Sequence, residues 1–430
     1  MIRRILFFLI LLVSTQIFSQ RSSSSPYSIF GVGEEFGTRT VEQISMGGIG
    51  AAYTSPSTLN FINPASLSSL RFSTYAFGLL NNDLRIDDGT TTQSSSSSTL
   101  SYFSFAVPIS PRMAFIAGMQ PTSAVGYSFV NTTLDTNGDP IEIEEFAGNG
   151  SVNRIYGGLG VKIFKNVSVG LEIDFLFGSI ENSVLNARAN VALATKNVED
   201  SNVRGGSIKT GIQYEKQLKN DHFFNLGAAF KLSNTLRSTG SEHLYSLTLS
   251  SLGSELPRDT IFSENVKGKL ERPLETVVGI GYGKKNKWFA GLDYKFQSAL
   301  IPTGFLDNSS QSLRYGNSTR ISLGGEYTPK FNSISSYWQR VTYRFGLKSE
   351  KTGQLVKGSG TGNSFTEIKD FGMSFGVGLP LSRNYPTSVN FAVEYGKKGT
   401  TSNGLLQENY LNLRLSLSLN DIWFRKRTID

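Results

Sequence analysis

Residues that could carry metal or nucleophilic chemistry are few in this chain of 430 residues. It has no cysteine, and its two histidines, His222 and His243, lie far apart in the sequence. A zinc site needs clustered Cys, His or carboxylate ligands, and a nucleophilic triad needs a histidine beside its Ser or Cys. The missing cysteine also excludes disulfides and a lipid-modified N-terminal cysteine. We therefore expect no enzyme activity, no cofactor and no bound metal.

One acidic segment begins like a calcium loop. In Asp135-Thr136-Asn137-Gly138-Asp139 the glycine falls at position four instead of six, and position twelve is Phe146 instead of a glutamate. The pattern favours an Asn-Gly turn at the tip of a loop. An external calcium site remains the alternative.

A glycine-rich segment, Gly47-Gly48-Ile49-Gly50, has part of the composition of a phosphate-binding loop. It lacks a third glycine at the required spacing, a preceding strand and a downstream acid. Phosphate binding is therefore not expected there.

The elements that must position any site are strands with one apolar and one polar face. Between Leu411 and Leu419 every odd position is leucine and every even position is polar. Successive side chains of a strand point to opposite faces, so one face of this segment is wholly apolar. The same alternation recurs at 167–175 and 288–296. A closed barrel with lipid outside and a polar lumen accommodates all such strands at once.

The connections between strands support a membrane barrel. Tight turns such as Ser110-Pro111 alternate with long polar connections, as in outer-membrane barrels. We predict an all-β fold: a transmembrane antiparallel barrel of about 14 strands. The strands are expected at 69–82, 99–109, 112–130, 151–164, 167–182, 204–218, 222–235, 270–283, 287–298, 317–328, 339–349, 366–379, 387–396 and 408–420. The long polar loops are expected at 81–98, 131–150, 181–203, 237–269, 299–315 and 350–364. Partial alternation within 181–203 indicates strands that continue beyond the membrane there.

The predicted lumen face carries charges of both signs. The acids are Glu172, Asp174, Asp293, Glu326 and Glu394, and the bases are Lys231, Lys295, Arg320, Arg344, Lys348 and Arg414. We expect these groups to pair across the barrel and to hold water. A catalytic acid/base pair and attraction of a carboxylate headgroup remain alternatives.

The N-terminus reads as an export signal. Arg3 and Arg4 precede the apolar run 5–13, which is too short to span a bilayer as a helix. We assign 1–20 to a signal peptide, 21–68 to a plug or hatch inside the lumen, 69–424 to the barrel and 425–430 to a basic periplasmic tail. The net charge of +8 is spread thinly, so no nucleic-acid partner is expected. The expected location is the bacterial outer membrane.

The plug region resembles a known family. Met46–Tyr53, followed by Asn63-Pro64-Ala65-Ser66-Leu67, is similar to the N-terminal hatch of the FadL/TodX family. That resemblance implies an outer-membrane channel for long-chain fatty acids and other hydrophobic compounds. It marks the hatch residues Gly47, Gly48, Gly50, Asn63, Pro64 and Ala65. Tyr27–Gly33 and Trp423–Arg427 resemble a Bacteroidetes-type branch of the family, some of whose relatives are accessories to secretion or barrel-assembly machinery.

The third predicted strand carries a proline, Pro121, flanked by Gly118 and Gly126. Because proline cannot donate to a ladder and a barrel has no free edge, a bulge or kink is expected. In the resembled family a kink in the third strand opens a lateral gap, so these residues are candidates for a lateral gate. An ordinary bulge is the alternative, as an ordinary turn is for Asn63-Pro64-Ala65.

Two functions therefore follow. The first is passive uptake of hydrophobic small molecules such as long-chain fatty acids, gated by the hatch, with lateral exit near the third strand. The second is a structural or accessory subunit of an outer-membrane assembly or secretion complex. The expected partners are outer-membrane lipid, a hydrophobic ligand and, for the second function, other proteins.

Overall fold

The computed structural model describes residues 25–250, 254–304, 306–307, 313–358, 365–383 and 385–422. The proposed signal peptide, Trp423-Phe424 and the basic tail lie outside the described residues. Within those ranges, no helix is long and apolar enough to cross a membrane.

The described chain is mostly antiparallel β-structure, with short helical segments at Pro26–Ile29, Val41–Ser45 (α1), Pro64–Ser69, Lys219–Asp221 and Ser402–Gly404. The strands are β1 (Glu34–Glu35), β2 (Ser73–Asp87), β3 (Thr92–Ser110), β4 (Met113–Leu134), β5 (Pro140–Lys162), β6 (Val167–Arg188), β7 (Ala194–Gln217), β8 (His222–Lys231), β9 (Asn234–Leu249), β10 (Glu255–Arg272), β11 (Glu275–Lys284), β12 (Trp288–Gln297), β13 (Ile301–Gly304), β14 (Leu313–Tyr315), β15 (Ser318–Tyr327), β16 (Thr342–Lys357), β17 (Phe365–Pro380), β18 (Ser388–Gly399) and β19 (Gln407–Asp421).

Strands β2 to β19 form a closed barrel. The last strand, β19, pairs with β2 from Gln407 opposite Asp87 to Asp421 opposite Ser73. Four barrel strands are each interrupted once, as β8 with β9, β10 with β11, β12 with β13, and β14 with β15. The result is the predicted antiparallel barrel of 14 strands. The leucine ladder therefore lies on the strand that closes the cylinder.

The two faces of the wall are inverted relative to a soluble protein. On β6, the outward side chains of Ile173 and Phe175 are 57% and 54% exposed, whereas the inward Glu172 and Asp174 are each 2% exposed. Apolar side chains outside and charged side chains inside suit a wall that lipid surrounds. The predicted alternation is confirmed by this arrangement.

The predicted long loops were wrong in extent, because the strands continue past the apolar band. The loop expected at 81–98 is a hairpin in which β2 runs to Asp87 and β3 begins at Thr92. Polar cross-strand pairs support it: the Ser98 hydroxyl donates to Asn81 at 2.8 Å and the Ser96 hydroxyl to Asp83 at 2.6 Å. A backbone ladder needs no apolar side chains, so alternation ends before the strand does.

The same correction applies to the connection expected at 237–269, which is a hairpin of β9 and β10. Its register runs from Asn234 opposite Arg272 to Leu249 opposite Glu255. Strands also replace much of the loops expected at 131–150, 181–203, 299–315 and 350–364. The barrel wall therefore rises well above the apolar band from β4 to β10.

Candidate functional site

Residues 25–72, here called the plug, lie inside the barrel against the inner faces of the strands. Nearly all of them are buried or half-buried. The helix α1 begins with a capping box: Gln43 N donates to the Thr40 hydroxyl, and Thr40 N donates to the Gln43 side chain. Asn60 organises the next turn by donating to the carbonyl oxygens of Gly50 and Tyr53 at 2.7 and 3.0 Å. The plug is therefore a defined structure and not a loose tail.

Asn63 joins the plug to the wall and also shapes its last turn. Its side-chain oxygen accepts from Ala65 N at 3.0 Å, which caps the helical turn that begins at Pro64. Its amide nitrogen lies 3.1 Å from the carbonyl oxygen of Ile212 and 3.3 Å from that of Ala228. Asn63-Pro64-Ala65 thus forms the ordinary turn of the alternative interpretation, and the Asn63 side chain bonds to other parts of the protein.

Gly47 and Gly48 occupy the left-handed backbone region, with φ of 70° and 81°, which favours glycine. Gly47 N donates to the Ser374 hydroxyl at 3.0 Å, and its carbonyl oxygen accepts from Arg320 at 2.8 Å. Arg39 donates to the carbonyl oxygen of Gly48 at 3.1 Å. Burial, followed by repulsion from Arg320, lowers the pKa of Arg39 to about 10.

Gly50 lies at a charge-assisted polar contact between plug and wall. The carboxylate of Asp293 on β12 accepts from Gly50 N at 2.7 Å and from Ala51 N at 2.8 Å. A Cβ on Gly50 would crowd the side chains of Gln43 and Ile62. The amides of the glycine-rich segment therefore hold a carboxylate of this chain.

Glycines on the wall let the plug backbone approach closely. A Cβ at any of these positions would overlap plug backbone atoms or press on the Asn63 side chain. They are Gly160, Gly170, Gly211, Gly227, Gly324 and Gly346. These positions lie on β5, β6, β7, β8, β15 and β16, so the plug packs closely against strands on several sides of the lumen.

A lateral seam interrupts the barrel between β3 and β4. Their ladder runs from Ser110 opposite Met113 to Phe103 opposite Met119 and stops there. Beyond that point, toward the end of the barrel with the β2–β3 hairpin, β3 pairs with β2 and β4 pairs with β5. The described residues show no ladder between β3 and β4 there. Pro121 lies two residues past the last pair, and the predicted bulge falls between Pro121 and Ser123.

The plug covers the seam from inside. Glu34 and Glu35 of β1 pair with Ala124 and Ser123 on the free edge of β4. Further bonds flank this pairing: Phe36 N donates to the Thr122 carbonyl at 2.8 Å, and Gly126 N donates to the Ser28 hydroxyl at 3.0 Å. These contacts satisfy backbone groups that the missing β3 ladder leaves open.

The other two gate candidates also lie on β4. Gly118 sits in the last paired part of the strand, where a Cβ would meet the hydroxyls of Ser104 and Tyr156. Gly126 lies above the bulge and bonds to the plug. The structure therefore places Gly118, Pro121 and Gly126 below, at and above the start of the seam.

A cavity of about 320 Å³ adjoins the inner side of the seam above the packed part of the plug. Its lining includes Leu80, Leu84 and Thr99 on one side of the seam and Gln120 and Thr122 on the other. The remaining wall carries charged side chains of both signs. The cavity is therefore amphipathic and not a purely apolar tunnel.

Most of the predicted lumen charges form ion pairs, but these join strands that are one or two positions apart in the wall and do not cross the barrel as expected. Lys231 forms no ion pair with a described residue. Arg154 contacts Glu172 at 2.7 Å and Asp174 at 2.9 Å, and Lys348 contacts Glu394 at 2.7 Å. Other pairs are Arg344 with Glu326, Lys295 with Glu275, Arg320 with Glu350 and Arg414 with Glu394. Asp293 differs, because it binds plug amides instead of a base.

Comparison with known proteins gives the family. A family model described as BamG matches residues 1–430. The chain belongs to the BamG family. No curated protein matches this BamG-family chain.

The BamG-family chain is similar in structure to several solved channels. The toluene transporter TodX of Pseudomonas putida is 18% identical, with 90% of this chain and 99% of that chain covered and a TM-score of 0.60. The CymD monoaromatic hydrocarbon channel is 15% identical, with 89% and 98% covered and a TM-score of 0.57. A Pseudomonas aeruginosa FadL homologue is 11% identical, with 94% and 100% covered and a TM-score of 0.55. At these identities the likeness establishes the fold, and the BamG-family chain is an outer-membrane β-barrel.

The acidic segment and the histidines of this BamG-family barrel show no clustering. Asp135 accepts from the amides of Asn137 and Asp139 at 2.8 and 2.9 Å, which favours the turn interpretation. His222 lies at a strand end beside Tyr282, and His243 bonds to Ser241. In the described part of the chain, no group of three or more His, Asp or Glu side chains is placed to hold a metal.

Sequence reasoning missed two parts of the site. The lumen base Arg154 was not singled out, although its spacing from Tyr156 and Val152 already places it on the inner face. The pairing of Glu34-Glu35 with β4 was also missed. A strand of only two residues is too short to show alternation in the sequence, so this contact became visible only in the fold.

Proposed function

We propose that this BamG-family barrel takes up hydrophobic small molecules such as long-chain fatty acids by passive diffusion. In this proposal the ligand enters the lumenal cavity and leaves sideways through the seam, with the plug as the gate. The observation that carries the proposal is the seam itself, which adjoins the cavity and is covered by the plug segment 28–36. The structural similarity to TodX, a toluene transporter, and to CymD, a monoaromatic hydrocarbon channel, supports it.

Gating in this proposal requires movement of a small part of the plug. The segment 28–36 meets the seam edge through two paired residues and a few single hydrogen bonds. Glu34 and Glu35 also form ion pairs with Lys398 and Arg272 of the wall, which release of this segment would break. The segment 41–69 is held between wall glycines and by Asp293, Arg320 and Ser374. Release of 28–36 would uncover the seam while the lower plug stays in place. Gly118, Pro121 and Gly126 are proposed as the gate residues, and Gly47, Gly48, Gly50, Asn63, Pro64 and Ala65 as the fixed part of the hatch.

A reversible crosslink tests this proposal, because the natural chain has no cysteine. Glu35→Cys and Ser123→Cys place two thiols on register partners across the seam edge. Paired strand residues have Cα separations that a disulfide accepts. Oxidation should abolish uptake of a fluorescent long-chain fatty acid into cells that carry the barrel, and a reductant should restore it.

The matched control is Arg85→Cys with Ser94→Cys, which are register partners on the β2–β3 hairpin and do not cross the seam. Its oxidation should leave uptake unchanged. Equal uptake by the oxidised and the reduced seam variant would contradict the proposal that ligand leaves through the plug-covered seam.

A second candidate function is a structural or accessory subunit of an outer-membrane assembly or secretion complex. It is supported by the tight fit between the lower plug and the wall glycines. Purification from native membranes separates the candidates. A stoichiometric protein partner favours the subunit role, and bound hydrophobic ligand without a partner favours uptake.

Three finer assignments belong to the same proposal. We propose that residues 1–20 are a cleaved signal peptide and that the chain belongs to a Bacteroidetes-type branch, on the sequence features at both ends. We also propose that the barrel acts by binding and passage and not by catalysis. The structural similarity to the CymD channel and the TodX transporter supports that last point.

A further inference from the structure

Two periplasmic turns form a basic corner on the rim of the barrel. The turn after β7 and the turn after β11 adjoin each other, because β8 pairs with β11 and Lys285 N donates to the Asp221 carbonyl oxygen at 2.9 Å. This corner carries five lysines: Lys216, Lys219, Lys284, Lys285 and Lys287. None of the five forms an ion pair with any described residue. The same turns carry two acids, Glu215 and Asp221, so the corner keeps a net positive charge of five lysines against two carboxylates.

An aromatic cluster lies directly above this corner on the outward face of the wall. The rings of His222 and Tyr282 stack with centroids 5.5 Å apart, and Trp288 meets Tyr282 edge to face at 5.5 Å. The Tyr282 hydroxyl also bonds to His222 Nδ1 at 2.9 Å. These three residues share the face of the exposed, lipid-facing Leu226, Ile280 and Leu292.

Lys284 connects the two features. It is the last residue of β11 and lies opposite His222 on β8 and opposite Trp288 on β12. Because it is two residues from Tyr282, its side chain shares the outward face. An amine beside aromatic rings at the edge of the apolar band is positioned for the membrane–water boundary.

We propose that this corner is a binding site for an anionic phospholipid of the periplasmic leaflet. The acyl chains would lie against His222, Tyr282 and Trp288, and the phosphate would contact Lys284 and its neighbouring lysines. A lipid fits better than an acidic protein, because the ligand must touch bilayer-level aromatics and the aqueous rim together. The charge of the corner matches the ligand, since each lysine near an anionic surface adds about 1 kcal/mol.

Native mass spectrometry of the purified full-length barrel tests the site, with phosphatidylglycerol and phosphatidylethanolamine as the added probes. The variant Lys284→Gln with Lys285→Gln and Lys287→Gln removes three charges. At about fivefold per lysine, we expect roughly a 100-fold loss of phosphatidylglycerol affinity and little change for phosphatidylethanolamine. The control is Lys357→Gln with Lys369→Gln and Lys397→Gln, which removes three charges near the opposite end of the barrel.

Fluorescence gives an independent readout of the aromatic half. Replacing Trp338 and Trp423 with Phe leaves Trp288 as the one tryptophan of the chain. In vesicles with brominated lipid at matched fractions, brominated phosphatidylglycerol should quench Trp288 more than brominated phosphatidylcholine does. The triple Gln variant should remove that difference.

Equal lipid affinity in the triple Gln variant and its control overturns the proposal. So does equal quenching by the two brominated lipids. Loss of a co-purifying protein from the triple variant, with phosphatidylglycerol binding unchanged, would assign the corner to a protein partner instead. Thermal denaturation detects a triple Gln variant that fails to fold. In that case the proposal is still tested by Trp288 quenching in the protein that keeps all its lysines, where the two brominated lipids are compared.

Discussion

Removal of the Asp293 carboxylate should loosen the plug without opening the barrel. Asp293 is 5% exposed and accepts from Gly50 N and Ala51 N at 2.7 and 2.8 Å. A hydrogen bond to a charged group contributes about 1.5 to 3 kcal/mol, so two such bonds give at most about 6 kcal/mol. Relief of the buried charge in Asp293→Ala offsets part of this loss. We therefore expect local opening of the plug to become easier by about 3 kcal/mol.

Hydrogen exchange measures that quantity directly. About 3 kcal/mol corresponds to roughly 100-fold faster exchange of the amides at 49–53, provided that exchange reports the equilibrium of local opening. Asp293→Asn keeps an acceptor and loses only its charge, so we expect exchange of the same amides to become about tenfold faster. Peptides from the outer wall should keep their exchange rates, because the barrel ladder does not depend on this contact.

The matched control for Asp293 is Asp370→Asn. Asp370 is also a lumen acid, but it bonds to Lys348 and to the Tyr410 hydroxyl instead of the plug. Its loss should leave exchange at 49–53 unchanged. If Asp293→Ala and Asp370→Asn changed that exchange equally, the plug would be held by general lumen electrostatics and the reasoning from these two bonds would be wrong.

Two further predictions concern a wall glycine and an external turn. Gly227→Ala places a Cβ on the Ala51 backbone and should lower stability by about 1 to 3 kcal/mol in thermal or denaturant unfolding, since overpacking displaces neighbours. Gly157→Ala meets only ordinary contact distances and should be nearly neutral. Hydrogen bonds from the Thr91 and Thr90 amides hold the pKa of Asp88 well below its usual range. Because this folded pKa is depressed, the contribution of Asp88 is present above the ordinary Asp range and is lost as pH falls toward the lower value. NMR titration should give an Asp88 midpoint below that of a model peptide, and Thr91→Pro should raise it.

The membrane part of the fold could be read from the sequence because it follows one physical rule. A wall between lipid and a wet lumen forces side chains to alternate, and the segments 167–175 and 411–419 show this without ambiguity. The external halves of the strands escape that rule, since water contacts both of their faces. Thus the sequence predicts a loop over the serine-rich 94–98, whereas these residues belong to β3.

The plug shows a different limit. Gly47, Gly48 and Asn63 could be selected from the sequence because their residue types have special backbone or turn preferences. The wall residues that meet them could not be selected, because Asp293 and Gly227 look like any other lumen positions until the strands close into a ring. Contacts between a plug and a wall depend on rotation and height of the plug, which no local pattern encodes.

The height of the seam on the barrel wall decides where a ligand would leave in the proposed lateral exit. Outward apolar side chains near the seam end with Leu100, Met119 and Ile155, which are 41%, 42% and 51% exposed. Pro121 and its partner Asn153 lie just above that edge. A molecule that left through the seam would therefore arrive at the outer boundary of the apolar band, where one end of it could remain hydrated. That position suits an amphipathic ligand better than a pure hydrocarbon, and it agrees with the mixed lining of the cavity. Under the proposed function, the lower plug would be the barrier to the periplasm. The pairing of β1 with β4, together with the ion pairs of Glu34 and Glu35, would be the barrier to the membrane.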